Sequence, residues 1–212
     1  MAESNKDTGF DRKGHWDEVY GSKPSAELGW YQRIPQVSLS LIEKLDLPED
    51  APVVDIGGGD SRLCEQLLRR NFVDLSVLDI SEKAMERSRG RLAGLANGVD
   101  WIVSDVLDFR PGRRYALWHD RACFHFLTSG SEVARYVELV RQSLRPGGAL
   151  ILGTFSEKGP ERCSGLAVRR YDRTKLEKVF SDFRLKEFRY LDHHTPTGVR
   201  QNYIFCLFET KG

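Results

Sequence analysis

The 212-residue sequence predicts an α/β fold: a doubly wound sheet of seven strands, mostly parallel, with an antiparallel C-terminal hairpin strand. Three observations carry that expectation. Compact apolar runs at 51–56, 74–80, 99–104, 115–120 and 149–155 alternate with helix-spaced segments at 61–70, 82–96 and 130–144. Such alternation with short connections builds a parallel sheet through right-handed crossovers. The first run ends in Gly57-Gly58-Gly59, where a chain turns tightly because no Cβ intervenes. The tail then leaves the rhythm: a helix near 173–180, a run at 184–190, the polar loop His193–Gly198 and a run at 201–209. Those last two runs read as an antiparallel hairpin at the sheet edge.

Taken in order, residues 1–14 are polar and read as a flexible lead, followed by a single domain over 15–212. Its first part, 15–46, holds an aromatic-rich stretch with Trp16, Tyr20, Trp30 and Tyr31, then a helix with Val37, Leu41 and Leu45 on one face. The segment 51–155 is the alternating core. Ser81 is a natural N-cap for the second core helix, with Glu82 and Glu86 near its positive end. Leu144-Arg145-Pro146-Gly147-Gly148 stops the third. Residues 156–212 supply a polar, Gly/Pro-punctuated substrate loop and the hairpin.

Composition narrows the function classes. A formal net charge of +1 gives no bulk attraction to nucleic acid, and no nucleic-acid partner is expected. Four separated cysteines (Cys64, Cys123, Cys163 and Cys206) form no CxxC pair, which fits reduced thiols and a cytoplasmic setting. No apolar run reaches the length of a membrane span and the N-terminus is no signal peptide, so no membrane partner is expected. His119, Cys123, His125 and His193 fit no standard ligand spacing, and no metal is expected. The oligomeric state is not encoded in any feature of the sequence.

The chemistry centres on Val53–Asp60 and on Val77-Leu78-Asp79-Ile80, about twenty residues later. An acid at the end of the second strand suits both hydroxyls of a ribose. Arg62 occupies the third glycine position of a dinucleotide fingerprint, which counts against NAD or FAD and leaves a single nucleoside open. The Tyr171…Lys175 spacing is that of a short-chain dehydrogenase, but no matching glycine triplet accompanies it.

Asp55-Ile56-Gly57-Gly58-Gly59 resembles motif I of the class I S-adenosylmethionine-dependent methyltransferases, whose form is acid-x-Gly-x-Gly; the family's third glycine falls at Ser61. Ser104-Asp105-Val106 resembles the motif after the third strand, and Leu144–Gly148 is similar to the turn before the fifth. The ordered set covers about residues 50–155. The resemblance implies a Rossmann-like sheet and S-adenosyl-L-methionine as cofactor. It further implies a seat formed by Asp55, Gly57, Gly59, Asp79, Ile80, Asp105, Val106 and Trp30, with Asp79 on the ribose, Asp105 on the adenine amino group and Tyr31 within reach of the methionine carboxylate.

Three segments are candidates for the acceptor side: Trp16…Gln32 as an aromatic lid, Trp118–Phe126 at the end of the fourth strand, and Phe155–Leu166 after the fifth. Tyr31, Arg121 and His125 are the catalytic candidates, His125 as a general base near neutrality and Arg121 as a clamp for an anion. The Asn/Asp-Pro-Pro-aromatic signature of nucleic-acid amino-methyltransferases is absent. The expected activity is methyl transfer to a small molecule by in-line displacement. Protein lysine N-methylation, thiol or chalcogen methylation, and cofactor binding without turnover are the alternatives.

Overall fold

The computed structural model of the chain describes residues 10–211. Strands β1 (Val53–Ile56), β2 (Leu75–Asp79), β3 (Val99–Val103), β4 (Tyr115–Arg121) and β5 (Leu144–Phe155) run parallel. The hairpin of β8 (Phe183–His194) and β9 (Arg200–Thr210) completes the sheet in the order β3-β2-β1-β4-β5-β9-β8, with β9 inserted antiparallel beside β5. A further two-stranded ribbon, β6 (Arg162–Cys163) and β7 (Leu166–Ala167), lies in the segment read as a plain loop.

The strand sequences follow from coverage. β1 and β2 are buried at every residue, so Val53–Ile56 and Leu75–Asp79 show no alternation. The edge strand β8 alternates between exposed and half-covered, as a strand packed on one face must. One face of the sheet carries α2 (Gln36–Glu43), α3 (Leu63–Leu68) and α4 (Glu82–Leu92), through Leu39, Leu63 and Met85. The other carries α5 (Gly130–Ser143) and α6 (Arg173–Val179), through Tyr136, Leu176 and Phe180. Successive residues of β4 serve opposite faces. The Trp118 indole donates to the Tyr136 hydroxyl at 3.0 Å, while His119 bridges Asp55 at 2.7 Å and Ser38 at 2.8 Å.

Element ends differ from expectation for identifiable reasons. Helix α1 (Arg12–Ser22) starts inside the stretch read as a flexible lead, because the Asp11 carboxylate accepts the Gly14 N–H at 2.8 Å and caps it. Residues 1–9 of that lead lie outside the described residues. Helix α4 is capped by Ser81 as expected but stops at Leu92, where Ala93 takes φ +49° and a 3₁₀ turn follows. Strand β5 begins at Leu144, already paired with Tyr115, rather than after the Pro-Gly-Gly turn. His193 and His194 belong to β8, so the hairpin loop is shorter than the polar stretch suggested.

Because β2 and β4 flank β1 on opposite sides, the chain reverses its direction of travel there, and a crevice opens above the C-terminal ends of the strands. No helix among the described residues is long and apolar enough to cross a membrane. Gly153 on β5 faces Phe205 of β9, and a Cβ there would lie 2.6 Å from the ring. Gly153→Ala should therefore lose about 1–3 kcal/mol of stability by overpacking. In urea the midpoint should fall while the slope stays constant.

Candidate functional site

The crevice holds a largely apolar cavity of about 780 Å³, its open mouth included. Its floor is the glycine turn after β1. Gly57 has φ +64°, and a Cβ there would lie 3.0 Å from the Cβ of Cys123. At Gly59 a Cβ would fall 2.6 Å from both the Ala84 methyl and the Asp79 carboxylate. Only glycine allows that approach.

Asp79 and Ile80 line the cavity beside Gly57, with Asp105 and Val106 further along. Asp79 accepts the Gly59 N–H at 3.0 Å on one oxygen and the Ser81 N–H at 2.8 Å on the other. Burial nonetheless pushes its carboxyl up to about 6, opposed by those N–H donors and aided by the charge of Asp55. Asp105 accepts the Leu107 N–H at 2.8 Å and meets the Arg12 guanidinium at 3.3 Å. Asp55 and Gly59 do not line the cavity. One oxygen of Asp55 bonds His119 at 2.7 Å, and the other is buried without a partner against Gly58.

Helix α1 and the following loop form a roof. Trp16, Tyr20 and Trp30 face the cavity, and Phe126 joins them from the β4–α5 loop. The Trp16 ring meets Phe126 edge-on at 4.9 Å and Trp30 at 5.8 Å. The roof is tied down at several points. Ser81 donates to Asp17 at 2.7 Å, Arg12 pairs with Asp105 and Glu132, and Arg87 donates to the Lys23 carbonyl at 2.8 Å. The His193 ring bonds the Gly29 carbonyl at 2.8 Å, which attaches the roof loop to β8.

The wall after β4 is shaped by Asp120, which does not pair with its neighbour Arg121. Its carboxylate accepts the Cys123 and Phe124 N–H groups at 2.9 and 3.2 Å, and the Tyr136 hydroxyl at 2.6 Å. Burial pushes this carboxyl up to about 6 as well. Arg121 turns the other way, lines the cavity and donates to the Trp30 carbonyl at 3.0 Å.

The three catalytic candidates thus part company. Arg121 lines the cavity. Tyr31 lies in a smaller adjoining recess of about 230 Å³, with the Arg62 guanidinium 6.0 Å from its ring centre. His125 faces the core: it is fully buried, stacked on Phe155 at 4.4 Å, and neither ring nitrogen has a partner. Burial pushes it down to about 3, so the expected base is neutral and out of reach of the cavity. The cavity also includes Arg12, Cys123 and Cys163, to which the sequence assigned no firm role. Arg12 sits in the stretch 1–14 that reads as a flexible lead, and no local signal marks it. Among the described residues no group of His, Cys, Asp or Glu could hold a metal ion.

Residues 53–148 match the family model described as a methyltransferase domain. Among curated proteins the chain is 25% identical over 150 residues to the methyltransferase GfsG of Streptomyces halstedii, a match covering 69% of this chain and 51% of that protein. The chain spans about half the length of the curated relatives it matches most fully. An S-adenosylmethionine-dependent methyltransferase from Anabaena variabilis superposes with a TM-score of 0.74 at 15% identity, over 96% of each chain. The 1,6-didemethyltoxoflavin N1-methyltransferase of Burkholderia thailandensis, solved with 1,6-didemethyltoxoflavin and S-adenosylhomocysteine, superposes with a TM-score of 0.71 at 16% identity, over 94% of this chain and 84% of that one. At those identities the structural likeness is one of fold, and the matched domain begins with the strand that carries the glycine turn. The comparisons thus support a methyltransferase domain over residues 53–148, on a fold shared with S-adenosylmethionine-dependent methyltransferases.

Proposed function

We propose that the protein transfers the methyl group of S-adenosylmethionine to a small-molecule acceptor held in the same roofed cavity. One observation carries this reading: the carboxylates of Asp79 and Asp105, the glycine turn and the aromatic roof all face a single cavity that also contains Arg121. The residues fit the cofactor. A buried carboxylate stands beside a turn that a Cβ would block, as a ribose needs, and Asp105 lines the same cavity, where it would accept the adenine amino group. When bound, the cofactor supplies a methyl carbon made electrophilic by its sulfonium.

The protein's own part is alignment and exclusion of water, and alignment alone can supply about 7–11 kcal/mol of barrier lowering in favourable cases. Trp16, Trp30 and Phe126 shed water and present aromatic rings, whose faces attract a cation. Burial raises the Tyr20 phenol and the Cys123 thiol well above their ordinary values and pushes the Cys163 thiol up to about 11, so all three stay protonated. Asp105 is occupied by Arg12. Such a lining favours an acceptor that arrives with its lone pair free, since no removal of a proton is then required. The roof and the engaged acids favour a small molecule over a protein lysine, which needs an open acidic trough.

Isothermal titration with S-adenosylhomocysteine tests the seat. Micromolar-range binding by the wild type and its loss in Asp79→Ala are expected; no heat with the wild type would refute the reading. The affinity should also depend on pH. Ribose hydroxyls donate to the ionised carboxylate, so binding strengthens as pH rises through about 6. Between pH 7 and pH 5 the Kd should rise about tenfold, and Asp79→Asn should flatten that profile. Stability follows the opposite sign. A carboxyl held above its unfolded value contributes most below the ordinary aspartate range and loses that contribution as pH rises through 6.

The roof generates a separate expectation. Arg12→Ala removes the contacts to Asp105 and Glu132. Amide exchange over residues 12–22 should accelerate, and S-adenosylhomocysteine should dissociate several-fold faster in stopped flow while the global unfolding midpoint hardly moves.

A further inference from the structure

Arg121 is the cavity cation that lacks a counter-charge. It is half-buried, and among the described residues it forms no salt bridge; the Trp30 carbonyl, a neutral acceptor at 3.0 Å, is its hydrogen-bond partner. The other charged groups lining the cavity and its recess have partners. Arg12 is matched by Asp105 and Glu132. Asp60, which lines the adjoining recess with Arg121, is matched by Arg87 and Arg91 and also accepts the Ser25 hydroxyl. Asp79 accepts two backbone N–H groups. A half-buried guanidinium with most of its N–H groups unused costs solvation free energy that an arriving anion would offset.

Its position selects which anion. The sheet order places Asp105, Asp79 and Gly57 along the ends of β3, β2 and β1, and Arg121 comes next, at the end of β4. Nucleoside contacts made by those three residues would therefore lie on the β3–β1 side of Arg121. Arg121 shares the cavity lining with Trp16, Trp30, Phe126 and Cys163 and bonds the Trp30 carbonyl. Its charge also acts on the phenols of Tyr20 and Tyr203 and on the His193 imidazole, secondary in each case to burial. These groups set the guanidinium beside aromatic surface, and the carboxylate that shares its recess, Asp60, is already matched by Arg87 and Arg91.

We infer that Arg121 is a specificity-determining residue that binds a carboxylate of the methyl acceptor, whose apolar or planar body lies against Trp16, Trp30 and Phe126. A guanidinium holds a carboxylate through two parallel N–H···O bonds, and aromatic walls accept a flat apolar body. This rests on the methyltransferase reading above. A second carboxylate could reach the same guanidinium, namely that of the cofactor's methionine end, and the test must tell the two apart.

The experiment titrates the protein, saturated with S-adenosylhomocysteine, with aromatic carboxylates and their neutral amides, benzoate and benzamide being the first pair. Wild type is expected to bind acids at least about tenfold more tightly than amides. Arg121→Gln should abolish that preference, and Arg121→Lys, which keeps the charge but not the fork, should retain part of it. S-adenosylhomocysteine affinity should change less than twofold in both variants. Equal binding of acids and amides, or binding of neither, overturns the inference. A large loss of S-adenosylhomocysteine affinity in Arg121→Gln with the acid preference intact overturns it too, by assigning the residue to the cofactor. Failure of the wild type to bind S-adenosylhomocysteine at all defeats the underlying function, not this assignment.

Discussion

The contact between the Gly59 backbone and the Asp79 carboxylate sets the geometry from which the rest of the site is built. It leaves no room for a side chain at Gly59, because Ala84 closes the same space from α4. Through Asp79 the turn after β1 is joined to the turn after β2, since the second oxygen accepts from Ser81. Ser81 in turn caps α4 and donates to Asp17 of the roof helix. Floor, wall and roof are thus one hydrogen-bonded chain. A shift at the glycine turn would be felt four residues of network away, in the aromatic surface above the cavity.

Two buried carboxylates illustrate how the same physics serves different ends. Asp79 and Asp120 are both held near 6 by burial, and both accept backbone N–H groups. Asp79 faces the cavity and has lone pairs left for a ligand. Asp120 spends its capacity on the Tyr136 hydroxyl and on the turn that leads to Phe126. Its effect on the site is indirect: by fixing that turn, with Ala122 at φ +73°, it points Arg121 and Phe126 toward the cavity. Adjacent residues on one strand end therefore divide into a shaping group and a binding group.

Much of the fold was legible in the sequence because covered parallel strands and amphipathic helices leave local patterns. Val53–Ile56 and Val77–Ile80 are such patterns, and the glycine turn follows from the absence of a Cβ. Ends were less legible where the deciding partner is distant, as with Leu144, whose pairing with Tyr115 lengthens β5. The acceptor side was least legible. His125 looked like a base because its type titrates near neutrality, yet its burial against Phe155 is decided by strands far away in sequence. Arg12 left no signal at all, since the first turn of a helix with little amphipathic pattern reads as the end of the polar lead over 1–14. Side-chain type could be read locally; side-chain direction could not.

The bridge of Asp55, His119 and Ser38 has a consequence for how this protein would be classified by shape. Serine, histidine and aspartate stand in hydrogen-bonded sequence at 2.8 and 2.7 Å, the constellation by which serine hydrolases are recognised from geometry and roles. Here Ser38 is a residue of α2, only 1% exposed where that helix packs on the sheet. A template search on three side chains would return a nucleophile where there is a rivet. What separates the two is not the triad itself but whether an electrophile can reach the serine oxygen.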